Sequence, residues 1–191
     1  MLGEDILRKL REEASRSLPR QGTHSYEHTE RVYRMCLFLG ENVDADESIL
    51  LPAALLHDIG RGEENHALAG ARKAKSILLK LGFSTEKINM VADAIATHSY
   101  SEGKTAVSIE AKVLSDADKL DALGAIGIYR AAAYSGEVSR GIDEFVAHFH
   151  EKVLRLNELF YTGDARLIAE NRISFMRAYL DELNQELSQR T

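Results

Sequence analysis

Five of the seven histidines in this 191-residue chain, His24, His28, His57, His66 and His98, fall at the edges of apolar, helix-patterned segments. Carboxylates accompany them in surroundings that leave little room for water. Asp58 directly follows His57 at the exit of the run Ile49–Leu56, and Asp116, Asp118 and Asp121 interrupt an apolar segment as Ser115-Asp116-Ala117-Asp118-Lys119-Leu120-Asp121. An unpaired carboxylate in such a place is costly, so each needs a cation or hydrogen-bond donors. Taken singly, each has an ordinary reading: Asp58 as a helix cap, His57 as a satisfied core histidine, the aspartates as a solvated face. The flanking Val113, Leu114, Leu120, Leu123 and Ile126 argue against a solvated face. On a helical wheel Asp118 and Asp121 share a side with Leu114 and Ala125, while Asp116 points elsewhere. Neutral imidazole combined with carboxylate oxygen suits Mn, Fe, Co, Ni or Zn, and helical bundles commonly build such sites from several helices.

The elements that would position these residues read as helices, and no convincing alternating strand is present, so the fold class expected is all-α. Val32, Cys36 and Leu39 recur at helical spacing after Tyr26. The segment Glu47–Asp58 is apolar all round, which places it at the centre of a bundle, with Pro52 in its first turn or bending it. A helix from about His66 to Leu81 stops at Gly82, and Ser84 caps another carrying Ile88, Val91 and Ile95, with His98 one turn beyond. Ser108 opens a helix that the pattern continues to Tyr134. Ser135–Gly136 breaks it, and a long amphipathic helix follows with Ile142, Phe145, Phe149, Val153, Leu156 and Phe160 inward. A last helix runs through Ile168, Ile173, Met176 and Leu180.

Composition narrows the class. With 45% hydrophobic residues, two prolines and no linker-like stretch, a single domain is expected over 1–191, with a metal-binding core of about 22–134 and C-terminal helices of about 141–188 packing on it. The N-terminal stretch is charged throughout and lacks the apolar core of a signal peptide, and no run is long enough to span a bilayer. The one cysteine, Cys36, excludes an internal disulfide, reads as a buried structural thiol and fits a cytoplasmic setting. A net charge of −6 without a basic run argues against polymeric nucleic acid as partner, and not against a small anion. The amphipathic helices after residue 141 could complete the core or form a homodimer surface.

The order His28, His57–Asp58, Asp118 resembles the H…HD…D pattern of the HD-domain metal-dependent phosphohydrolases, an all-helical superfamily. The flanking words are similar too: His24-Ser-Tyr-Glu-His28-Thr-Glu-Arg31, Ala53-Ala-Leu-Leu-His57-Asp58-Ile-Gly, and Ser115-Asp-Ala-Asp118-Lys-Leu-Asp121-Ala-Leu-Gly. The likeness is strongest to small single-domain bacterial and archaeal HD hydrolases and extends through His148-Phe-His-Glu-Lys152 and Ala169-Glu-Asn-Arg172-Ile-Ser-Phe-Met176. It implies that His28, His57, Asp58 and Asp118 bind one divalent transition metal ion, a second ion being less favoured. It further implies hydrolysis of a small phosphorylated molecule, foremost a nucleotide. His66 and His98 match positions that in some branches bind a second metal and in others face phosphate. On the chemistry, Asp58 or Asp121 could orient the attacking water, and His24, His66 or His98 could donate to the phosphate. Arg61, Lys119, Arg130 and Lys152 are the candidate stabilising cations. Tyr26, Tyr100 and Tyr129 could stack on a base, although core packing is the commoner role. The rival classes are a nucleotide sensor that keeps the metal without turnover, and a di-metal HD oxygenase.

Overall fold

In the computed structural model the described residues are 2–20, 22–99 and 104–189, and among them every regular element is helical. The chain divides into two compact units, Met1–Asp118 and Lys119–Thr191.

The first unit holds α1 (Glu4–Ser17), α2 (Tyr26–Glu41), α3 (Glu47–Leu56), α4 (His66–Lys80), α5 (Thr85–Thr97) and most of α6 (Ile109–Asp121). Helix α3 is central, as its all-round apolar character demands: every residue from Ile49 to Leu56 is buried, and α1, α2 and α5 pack against it. Pro52 is its sixth residue rather than part of its first turn, so it lies inside the helix. Asp46 caps α3, its carboxylate accepting from Ser48 N at 2.7 Å. The Asp46 N–H in turn donates to Glu110 Oε1 at 3.1 Å, which ties the start of α3 to the start of α6. At 1.5 Å rise per residue, His57 and Asp118 then lie roughly 12–16 Å along two helices that begin together, so both are delivered to the same end. The Ser84 and Ser108 caps form as expected, accepting from Lys87 N at 3.3 Å and Ala111 N at 3.1 Å. Cys36 is fully buried in α2, and burial, reinforced by the charges of Asp118 and Asp116, pushes its thiol well above the ordinary range. That is a packing residue, not a nucleophile.

A close backbone approach dictates one glycine here. A Cβ on Gly60 would stand 2.2 Å from His66 O and 2.3 Å from Gly70 N, so the turn after Asp58 fits against the start of α4 only without a side chain. Lys73 braces the same turn, donating to Ile59 O at 3.1 Å.

The second unit holds the end of α6, α7 (Gly124–Glu137), α8 (Ile142–His148) and α9 (Gly163–Ser188), with α7 packed on α9. Two expectations are corrected here. The helix from Ser108 does not run on to Tyr134. It stops at Asp121, Leu123 is extended, and Gly124 has φ +73°, a left-handed conformation that side chains rarely adopt. The Arg172 side chain fills the space a Cβ would need at Gly124, and Arg172 Nη1 donates to Leu120 O at 2.6 Å, satisfying a carbonyl that the helix end leaves open. The long helix from Ile142 is also not continuous. After α8 the backbone widens into a π-helical turn, Phe149–Val153, then tightens into a 3₁₀ segment, Leu154–Leu159. Phe145, Phe149, Val153, Leu156 and Phe160 are buried as the period requires, whereas Ile142 is exposed.

Gly60→Ala should therefore cost at least about 2 kcal/mol in urea unfolding. Gly136→Ala, in α7 where a Cβ meets nothing within 4 Å, should stabilise by about 1 kcal/mol.

Candidate metal centre

Five elements of the first unit send a histidine or aspartate to one place. His28 comes from the first turn of α2, His57 and Asp58 from the exit of α3, His66 from the start of α4, His98 from the exit of α5, and Asp118 from the end of α6. His28, His57, Asp58 and His98 are essentially without solvent exposure.

The two histidines at helix exits are oriented by the same device. His57 Nδ1–H donates to Ala54 O at 2.8 Å, and His98 Nδ1–H donates to Ile95 O at 2.6 Å, each to a carbonyl three residues back in the last turn of its helix. A carbonyl oxygen can only accept, so each bond fixes the tautomer and leaves Nε2 as a bare lone pair directed inward; the Ile95 carbonyl also accepts from the His98 N–H at 3.4 Å. Ser115 Oγ–H donates to His98 O at 2.9 Å, joining the end of α5 to α6 three residues before Asp118.

The facing atoms lie close together. His57 Nε2 is 3.2 Å from His28 Nε2, His28 Nε2 is 3.2 Å from Asp118 Oδ1, and Asp58 Oδ2 is 3.7 Å from the Nε2 of both His28 and His57. Bonds of roughly 2.0–2.2 Å to a common ion place neighbouring donor atoms roughly 3.0–3.5 Å apart. Three overlapping triads among the described residues have donor atoms within 4.8 Å of one another: His24–His28–Asp58, His28–His57–Asp118 and His57–Asp58–His98. His98 Nε2 is buried without a hydrogen-bond partner, an orphan that a ligand would satisfy. Imidazole nitrogen with carboxylate oxygen is the right chemistry for a divalent transition metal, and the residues could hold one.

Asp58 is the electrostatic hub. His24 Nδ1 lies 3.0 Å from its Oδ2, Arg61 Nε donates to its Oδ1 at 3.1 Å, and the Nε2 atoms of His66 and His98 each lie 4.0 Å from Oδ1. Burial opposes its charge, but His57, His24, Arg61 and His28 together hold its carboxyl well below the usual range. Asp118 behaves likewise: against burial, His28, His57 and His98 keep it ionised. Burial draws His57 and His98 below the ordinary histidine value in spite of these carboxylates, so both are neutral, the form a metal needs.

Eight sequence-predicted residues are thus gathered in the first unit: His24, His28, His57, Asp58, Arg61, His66, His98 and Asp118. The other four lie in the second unit. Asp121 Oδ2 accepts from Arg130 Nη1 at 2.8 Å. Lys119 donates to Leu159 O at 2.6 Å beneath the rings of Phe160 and Tyr161. Lys152 follows α8 on the π-helical turn. Of the three tyrosines, Tyr26 donates to Glu30 at 2.5 Å, and burial with that partner pushes it up to about 12; Tyr129 is exposed, and Tyr100 lies outside the described residues. The sequence reading missed the Ala54 and Ile95 carbonyls and Ser115 as orienting groups. Backbone carbonyls leave no residue-type signal, although a histidine directly after an apolar helix is a usable one.

With this geometry in place, the comparisons identify the family. The HD domain profile matches residues 25–123, and the chain belongs to the HD-domain family. Bacillus subtilis YpgQ, an uncharacterized protein, is 35% identical over 173 residues, covering 86% of this chain and 84% of its own. The crystal structure of YpgQ in complex with ADP has a TM-score of 0.81 at 31% identity, covering 95% of each chain. An HD-superfamily hydrolase from Bacillus thuringiensis gives a TM-score of 0.81 at 31% identity, covering 98% of this chain and 99% of that one. The protein therefore has the fold of the HD-superfamily hydrolases, and no helix among its described residues is long and apolar enough to cross a membrane.

Because the folded state disfavours protons on His57 and His98, the unfolded chain binds more protons as the pH drops below about 6.5. The metal-free protein should keep full stability above that pH and lose it progressively toward the depressed folded values. Urea unfolding from pH 7.5 to 5.5 checks this, and His98→Gln should flatten part of the slope.

Proposed function

We propose that the protein is a metal-dependent phosphohydrolase acting on a nucleotide, with a divalent ion held by His28, His57, Asp58 and Asp118. The observation that carries the reading is the convergence of these four donors on one point beside the guanidinium of Arg61, whose side chain is 31% exposed. The YpgQ complex with ADP supports a nucleotide as the substrate class.

A divalent ion bound there supplies Lewis-acid polarisation of a phosphoryl oxygen and brings the pKa of water toward neutrality. The chain's own residues do the rest. Asp58, fixed on both oxygens by His24 and Arg61, orients the attacking water. It takes this role in preference to Asp121, which is engaged by Arg130. Arg61 spends Nε on Asp58 and keeps the two ends of its guanidinium for phosphate oxygens. His24, with its side chain 38% exposed while Nδ1 is on Asp58, is the group placed to hand a proton to the departing oxygen. Lys119 is a poorer candidate than Arg61, since it is committed to the Leu159 carbonyl.

A panel of nucleotides assayed with Mn²⁺, Co²⁺ or Ni²⁺ for both phosphate and pyrophosphate should show metal-dependent release. Asp58→Ala should lower the rate by more than about 1,000-fold, and Arg61→Ala should raise KM by about 10-fold through a lost charge-assisted contact. Absence of release from every phosphorylated compound, with nucleotide binding retained, would establish a sensor instead. Oxygen consumption without phosphate release would point to an oxygenase.

A further inference from the structure

Three of the four proposed ligands, His28, His57 and Asp58, have no solvent exposure. A divalent ion that reached them with no protein donor on the way would shed its water where an uncompensated charge is costly. A buried metal site therefore needs an entry path.

His24 stands at the rim of the cluster. Its side chain is 38% exposed, against 23% for Asp118 and 12% for His66. Its ring meets that of His28 edge to face, with the centroids 5.7 Å apart. His24 Nδ1 is 3.0 Å from Asp58 Oδ2, and donor atoms of His24, His28 and Asp58 all lie within 4.8 Å of one another. Two members of this outer triad also belong to the buried ligand set. Asp58 Oδ2 and His28 Nε2 are 3.7 Å apart, and His57 Nε2 lies 3.7 Å from the first and 3.2 Å from the second. Asp118 Oδ1 is 3.2 Å from the same His28 nitrogen. Arg61 donates to the other Asp58 oxygen, Oδ1, at 3.1 Å, so Oδ2 is the atom that the outer and inner donors share. Exchanging His24 for His57 thus carries an ion from rim to interior while His28 and Asp58 keep hold of it.

We propose that His24, His28 and Asp58 form an entry subsite for the divalent ion, which passes inward when His57 and Asp118 replace His24. The inference rests on the metal reading of the cluster. His24 ligates through Nδ1 once its ring proton has moved to Nε2, an exchange with water that its exposure allows. After the hand-over, Nδ1–H returns to Asp58 Oδ2, the arrangement in which His24 serves the proposed reaction.

The test follows Co²⁺ by its visible absorption in the whole chain. Association is measured by stopped flow after metal is stripped, and release is measured from the loaded protein into excess chelator. A group that only assists passage speeds entry and exit alike. His24→Ala should therefore lower both rate constants by about 10-fold and leave Kd unchanged. The spectrum of the loaded protein should also stay as it is, because His24 is not among the final ligands. His24→Gln keeps a donor for Asp58 but is a poor ligand, so it should behave as the alanine variant does. Native rates in either variant overturn the proposal. A weaker Kd or an altered spectrum overturns it as well, by making His24 a resident ligand or a structural support. Failure of the native chain to bind Co²⁺ would overturn the metal reading together with this inference, and is distinguishable because it precedes any substitution.

Discussion

Asp58 is a carboxylate with no access to solvent, and much of the first unit is arranged around keeping it ionised. Burial of such a group without compensation would drive it to bind a proton or would destabilise the fold by several kcal/mol. Here His24 and Arg61 fix its two oxygens from the rim, while His28, His57 and His98 surround it from within. The imidazoles cannot be charged donors in that setting, because burial keeps His57 and His98 neutral. The Nε2 lone pair of His57 therefore faces the Asp58 carboxylate at 3.7 Å, an arrangement that a divalent cation would turn from repulsive to attractive.

Holding those lone pairs inward is a task for the helix ends. Helix α3 and helix α5 each finish with a histidine that satisfies one of the helix's own terminal carbonyls, so the same hydrogen bond completes the helix and aims the ring. Helix α6 is registered to α3 at its start through Glu110 and to α5 through Ser115. Gly60 lets the turn carrying Asp58 sit directly on α4. Fold and site are the same set of contacts viewed from different ends.

Much of this was legible in the sequence for definite reasons. An all-round apolar α3 could only be central, and a His-Asp pair at its exit had to be compensated. The ordered motif joined four residues separated by 90 positions, which periodicity alone could not do. The breaks were not legible. Asp121 and Gly124 fall in phase with the helical stripes on either side, and the interruption is set by Arg172, which arrives from α9. The π-helical turn after His148 keeps its apolar residues inward, so the pattern through Phe160 reads as one helix. Lys119 looked available because it adjoins Asp118, yet a neighbour in sequence on a helix points about 100° away, and it is bound to the Leu159 carbonyl.

The central claim is that the His/Asp cluster of the first unit holds a divalent ion, and anomalous diffraction from crystals grown with Mn²⁺ addresses it directly. The account predicts one strong peak roughly 2.0–2.3 Å from Nε2 of His28, Nε2 of His57 and carboxylate oxygens of Asp58 and Asp118. A cluster that stays free of manganese at millimolar concentration, with the four donors still 3–4 Å apart and water or nothing between them, would contradict it.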